Sequence, residues 1–176
     1  MAMTFWRGRA MICIFLAACL FGCAAPVRKA VEQPPPLPEG IMNARWGGSI
    51  ADVKKAVALD RNRWFQDSTD KPPHALYASG QYFDAPAIFS YFFTPKSKQL
   101  YRVDVTFDDL RMYDKGKDRL IQSFKKPSFS QPGADFWSWT DQSLIILQKD
   151  STHTQISYSS GPFLMINHRE GQELGR

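Results

Sequence analysis

The sequence predicts an α+β fold: an antiparallel sheet of about six strands with two helices packed on one side. Three observations predict it. Residues 49–60 and 113–125 carry apolar side chains at helical spacing. Between and after them, short runs rich in aromatic and β-branched residues are separated by Pro, Gly, Asp and Ser clusters. The order is helix, strands, helix, strands, a duplication of pattern rather than of residues.

The chain opens with Arg7 and Arg9 and no acid in residues 1–9, then an uncharged, mostly apolar stretch over residues 10–25. As a helix that stretch would span roughly 24 Å, against about 30 Å for the hydrocarbon core of a bilayer. The pattern predicts an export leader over residues 1–22. Leu16-Ala17-Ala18-Cys19 and Leu20-Phe21-Gly22-Cys23 each place a Leu three positions before a Cys. They resemble the lipobox of bacterial envelope lipoproteins. The first register matches residue by residue better. The second leaves the longer apolar run and is preferred, with Cys23 as the lipidated residue and Cys19 as the alternative; a plain secretory cut near Ala24-Ala25 and an uncleaved anchor are the other readings. The resemblance implies acyl chains on Cys23, each buried methylene contributing about 0.8 kcal/mol of membrane attachment. Ala24 rather than Asp follows Cys23, which in that family implies the outer membrane of a two-membrane bacterium, facing the periplasm.

Residues 23–40 form the expected tether. Pro34 to Pro38 should adopt polyproline II, and residues 26–40 would hold the domain roughly 40 Å from the membrane as a spacer. Residues 41–176 are expected to be a single globular domain. All three cysteines lie in the first 23 residues, so the domain cannot use a disulfide, a thiolate nucleophile or a cysteine-bound metal. Without Arg7 and Arg9 the chain holds 20 basic and 17 acidic residues. That near balance, with no Lys/Arg block, argues against a nucleic-acid partner.

Ser49 is predicted to cap the first helix with Asp52 answering it. Ile50, Val53 and Val57 share its buried face, and Lys54 and Lys55 point away. Trp64-Phe65 should close over its end. Strands follow at residues 76–83, 87–94 and 100–107, the last two joined by a hairpin at 95–99. In the third, Tyr101, Val103, Val105 and Phe107 should face the core, and Arg102, Asp104 and Thr106 water. The second helix, 113–125, turns Leu120, Ile121 and Phe124 inward, and Pro127 follows its end; Gly116 weakens its first turn. Three further strands are expected at 136–139, 143–149 and 154–159, with a turn over 150–153. Residues 163–167 would add an edge strand before a frayed tail.

Trp46-Gly47-Gly48-Ser49-Ile50-Ala51-Asp52-Val53 is similar to the opening of small periplasmic lipoprotein domains, among them outer-membrane lipoproteins that assist β-barrel assembly and folds of the β-lactamase-inhibitory-protein type. Those domains continue to a Leu-Gly-x-Pro turn; here Leu59-Asp60-Arg61-Asn62 and Phe124-Lys125-Lys126-Pro127 stand instead. The resemblance implies a fold, not an activity.

No catalytic set is legible. His74, His153 and His168 lack the close spacing of metal ligands, no G-x-S-x-G occurs, and Ser160-Gly161 reads as a turn. Asp108, Asp109, Asp114 and Asp118 read as acids favoured at a helix entry, without the ligand order of a calcium loop. No metal and no cofactor is expected. The aromatic excess at Tyr82, Phe83, Phe89, Tyr91, Phe92 and Phe93 stands out. Adjacent strand residues face opposite sides, so either both faces of the sheet are covered or one shows an apolar patch. Phe89, Tyr91, Phe92 and Phe93 are the candidate interaction surface. The leading expectation is a membrane-tethered, non-enzymatic interaction or scaffold module of the bacterial cell envelope with an envelope protein as partner. The alternatives are binding of a lipid or other apolar molecule in a helix–sheet cleft, and an envelope hydrolase.

Overall fold

The first helix, α1 (Ile50–Leu59), starts where local chemistry directs. Ser49 accepts from the Asp52 amide, and the Asp52 carboxylate accepts from the Ser49 amide, a closed capping box. Val53, Ala56 and Val57 are buried on one face. In the computed structural model, which describes residues 34–175, four antiparallel strands follow α1: β3 (Arg63–Ser68), β4 (Ala75–Tyr82), β5 (Ala85–Phe93) and β6 (Leu100–Phe107). A short ladder, β1 (Gly40–Ile41) with β2 (Ala44–Arg45), precedes α1. The second helix, α2 (Met112–Phe124), is again followed by four strands: β7 (Phe129–Gln131), β8 (Ala134–Ser138), β9 (Leu144–Lys149) and β10 (Thr154–Ser159). A third helix, α3 (Gly161–Leu174), follows β10.

The two helix-plus-four-strand units share one eight-stranded antiparallel sheet of order β3-β4-β5-β6-β10-β9-β8-β7. The last strands of the two units, β6 and β10, pair in the middle. Each unit is a meander, so neighbours in sequence are neighbours in space. Between β4 and β5, Phe83 and Asp84 both adopt positive φ (49° and 59°) and Tyr82 pairs directly with Ala85. This is the two-residue hairpin whose twist matches that of the strands. Pro86 lies inside β5 at a position β6 does not reach, since that pairing begins at Ile88; the missing N–H therefore interrupts no ladder there.

The fold class stands, with corrections. The main sheet has eight strands rather than about six, and the described residues hold three helices rather than two. Trp64 and Phe65 do not close over the end of α1; Trp64 meets that helix through Lys54, whose Nζ lies 5.1 Å from its ring centroid. They lie in edge strand β3, about half exposed, at a bulge in its pairing with β4. Residues 163–167 are helical, not an edge strand. Pro162 in the first turn suits a helix start, its fixed φ being helical and its missing N–H needing no partner there. Gly116 faces the sheet: a Cβ there would meet Ile156 Cδ1 of β10 at 3.4 Å and Leu147 Cδ1 of β9 at 3.5 Å, ordinary contact distances. The outward row of β6 is not uniformly wet, because Asp104 is buried.

Leu76, Tyr91, Val103, Tyr158, Ile145 and Trp137 lie side by side across six strands. They join the buried residues of α1 and α2 in one core. The α2–sheet interface also holds a polar clasp. Asp135, 1 % exposed, accepts from Tyr113 Oη at 2.8 Å, Ser130 Oγ at 2.5 Å and Lys117 Nζ at 2.9 Å. Burial works against its charge, yet the bonds from Ser130, Lys117 and Tyr113 prevail and hold the carboxyl below its ordinary range. Burial first, and Asp135 second, push the Tyr113 hydroxyl up.

The described part of the tether does not stand clear of the domain. The indole N–H of Trp139 donates to the Pro35 carbonyl and that of Trp46 to the Pro38 carbonyl, each at 2.8 Å. Cys23, Cys19, the leader and tether residues 23–33 lie outside the described residues. Among the described residues no helix is long and apolar enough to cross a membrane.

Candidate functional site

Strand alternation sorts the aromatic cluster onto two faces. Phe89, Tyr91 and Phe93 are at most 1 % exposed and belong to the core beneath the helices. Phe92 points the other way and is half-buried. Of the four residues read as a surface, three thus serve packing. Odd positions of β5 face the helices and even positions face away.

The face away from α1 and α2 is composite, and its row through Phe92 is only one of three. The central row runs Tyr77, Ser90, Asp104, Ser157, Ile146, Phe136, Phe129. One neighbouring row carries Phe92, Arg102, Ser159 and Leu144; the other carries Ile88, Thr106, Gln155 and Gln148. At the centre, where β6 meets β10, Arg102 donates to Asp104 through Nε and Nη2, both at 2.7 Å. Gln155 Nε2 donates to the same carboxylate at 2.9 Å. The guanidinium lies over the Phe92 ring, 5.4 Å from its centroid. Asp104 is buried while the Arg102 side chain keeps 40 % of its exposure. The face therefore presents a guanidinium already neutralised by its own carboxylate and held in one orientation. Around it stand Tyr77, Ile88, Ile146 and Phe136, and at the far edge Phe129, 59 % exposed, packs its ring 5.6 Å from Phe136.

Helix α3 packs against β6 and the β5–β6 turn. Its Phe163 ring lies against Gly47, whose φ is 75° and where a Cβ would sit 2.2 Å from the ring; only glycine serves both demands. Its buried Glu170 accepts from the amides of Lys96 and Ser97 in the β5–β6 turn, at 2.7 and 3.0 Å. With seven strand spacings of about 4.8 Å and a depth of about 20 Å, the sheet offers roughly 700 Å². One side of a standard protein interface buries about 800 Å².

The remaining candidates are local. His74 Nδ1 sits 3.0 Å from the Thr69 carbonyl and 2.9 Å from Lys98 Nζ, tying a loop together. His153 lies in the β9–β10 turn beside Thr152 and Asp108, and His168 is exposed on α3. Asp109 holds the Arg111 amide and guanidinium at the entry to α2. Ser160 is the N-cap position of α3, not part of a turn. Among the described residues no three His, Cys, Asp or Glu side chains gather as a metal cage. The Arg102–Asp104–Gln155 centre was beyond sequence reading because its members come from strands 51 residues apart. The one sequence signal was a charged pair at alternate positions of a strand whose other positions are apolar. The chain matches no known protein-family pattern, no curated protein and no solved structure.

Proposed function

We propose that the chain is a membrane-tethered, non-enzymatic interaction module of the bacterial cell envelope that receives a protein partner on the sheet face away from α1 and α2. In this reading Cys23 carries the acyl chains and the domain faces the periplasm from the outer membrane. The lipobox-like leader supports the address, and the similarity of residues 46–53 to small periplasmic lipoprotein domains agrees with it. One observation carries the function: a face of roughly interface size, with a pre-oriented Arg set among Tyr, Phe and Ile side chains. Arginine and large aromatics are the residues that dominate binding energy at protein interfaces. The partner's matching surface is apolar, with hydrogen-bond acceptors over Arg102 rather than a full negative charge, because Asp104 already supplies one. Trp137, Tyr91, Tyr158 and Phe89 fill the space between helices and sheet, which favours a surface over a ligand in a cleft.

The test uses the intact chain in its membrane. A photo-crosslinking side chain at Thr106 should yield one discrete protein adduct. Ile88→Asp should abolish it while the melting behaviour of the protein stays unchanged. An adduct that survives Ile88→Asp would remove the face as the interface. Mass spectrometry of the mature N-terminus should show acylated Cys23; acylated Cys19 would move the register, and an unmodified terminus would remove the anchor.

A further inference from the structure

Pro34-Pro35-Pro36-Leu37-Pro38 is conformationally narrow before it touches anything. Each proline holds φ near −65°, and a residue preceding proline is driven to extended ψ. The result is polyproline II, a helix of three residues per turn. Carbonyls three apart then point the same way, about 9 Å from one another. Pro35 and Pro38 are three apart, and theirs are the two carbonyls that accept from Trp139 and Trp46. The two indoles thus read one edge of a single polyproline turn. Between them Leu37 is half-buried against the core.

The groove is built from parts remote in sequence. Trp46 precedes α1; Trp139 stands between β8 and β9 with its ring edge-on to Phe124 of α2, 5.8 Å between centroids. Ser160 and Pro162, at the start of α3, complete the wall. Rigid tryptophans with indole N–H groups turned outward are a recurrent way to recognise proline-rich segments, because the ligand loses little entropy on docking.

We propose that Trp46 and Trp139 form a polyproline II recognition site and that its ligand is this chain's own Pro34–Pro38 segment, bound in cis. The tether is then latched to the folded domain. Where the chain is anchored as proposed above, the latch shortens its reach by roughly 15 Å, taking about 3.1 Å for each residue of Pro34–Pro38; the site itself does not rest on that anchor.

Hydrogen exchange of the indole N–H groups, followed by NMR in the intact chain, tests this. Trp46 and Trp139 should exchange at least tenfold more slowly than Trp64, which is exposed on β3. Replacing Pro34, Pro35, Pro36 and Pro38 by Gly keeps every carbonyl but removes the polyproline bias. That variant should speed exchange at Trp46 and Trp139 about tenfold and leave Trp137, bonded internally to the Lys125 carbonyl, unchanged. Unchanged rates at Trp46 and Trp139 would overturn the proposal. A synthetic peptide of residues 32–39 at millimolar concentration should restore slow exchange to the Gly variant, and failure to restore it would count against recognition. On the native chain the same peptide at 10 μM should do nothing, because a short tether supplies an effective concentration in the millimolar range. Displacement at 10 μM would overturn the cis assignment and make the groove a site for ligands in trans. Trp139→Phe gives an independent check that leaves the prolines intact. It should accelerate Trp46 exchange severalfold, and no acceleration would sink the shared-latch geometry.

Discussion

The two units of the sheet share one layout and are held by different chemistry. In the first, α1 enters through a closed capping box and packs with Val53, Ala56 and Val57 in the apolar core. In the second, α2 has no side-chain cap at Arg111 and leaves through Lys125 at a positive φ of 65°. Its hold on the sheet includes Tyr113 and Lys117 bonded to buried Asp135. The first helix is specified by residues within four positions of one another, the second by residues that meet only in the fold. A meander of hairpins tolerates both, because its register is set strand to strand and the helix need only cover the face.

The largest expected effect tests the second unit. Asp135→Ala should cost about 3 kcal/mol in denaturant melts, toward the low end for a broken buried pair because Lys117 can turn to water. If it costs less than Val57→Ala, the clasp is incidental and both units are held by apolar packing. The pH dependence follows from the sign of the shift. The folded carboxyl titrates below its unfolded value, so its stabilisation is complete above the unfolded pKa and fades as pH falls through the folded one. Asp135→Asn should flatten that acid limb.

Val57→Ala comes next, at about 2 kcal/mol, from lost burial plus a cavity under α1. Ser49→Ala should cost about 1 kcal/mol through the cap alone; a null result would mean that packing, not local chemistry, sets the start of α1. Gly116→Ala should stabilise by roughly 0.5 kcal/mol, since helix propensity improves and the added methyl meets Ile156 and Leu147 at ordinary contact distance. Destabilisation would show that α2 sits more tightly on the sheet than α1 needs to. Lys54→Ala should have the smallest cost, no more than about 0.5 kcal/mol and reduced by salt. It is not zero, because Lys54 bonds Asp67 at 2.5 Å and lies over the Trp64 ring at 5.1 Å. Lys54 first, and Thr69 second, hold the Asp67 carboxyl down at about 2.

What the amino-acid sequence determined by itself is local: the capping box at Ser49, the helical spacing of Val53 and Val57, the period-two alternation of β6, and the hairpin turns at 95–99 and 150–153. Each depends on side chains within a few residues of one another, so their physics is written in one window of sequence. Edge strands β3 and β7 were not legible. One face of an edge strand's ladder is unpaired, their residues are mostly exposed, and no alternation marks them. Helix α3 was misread because five apolar-rich residues fit either period; Pro162 was the signal that favours a helix start. The rest belongs to tertiary structure alone. Phe92 and Phe89 are chemically identical, and only the side on which the helices settle makes one core and the other surface. The same holds for Asp104 with Gln155, for Asp135 with Tyr113, and for Trp46 and Trp139 on the proline segment. The bonds from Tyr113 to Asp135, from Gln155 to Asp104 and from Trp139 to Pro35 join groups 22, 51 and 104 residues apart in the chain, separations that only folding closes.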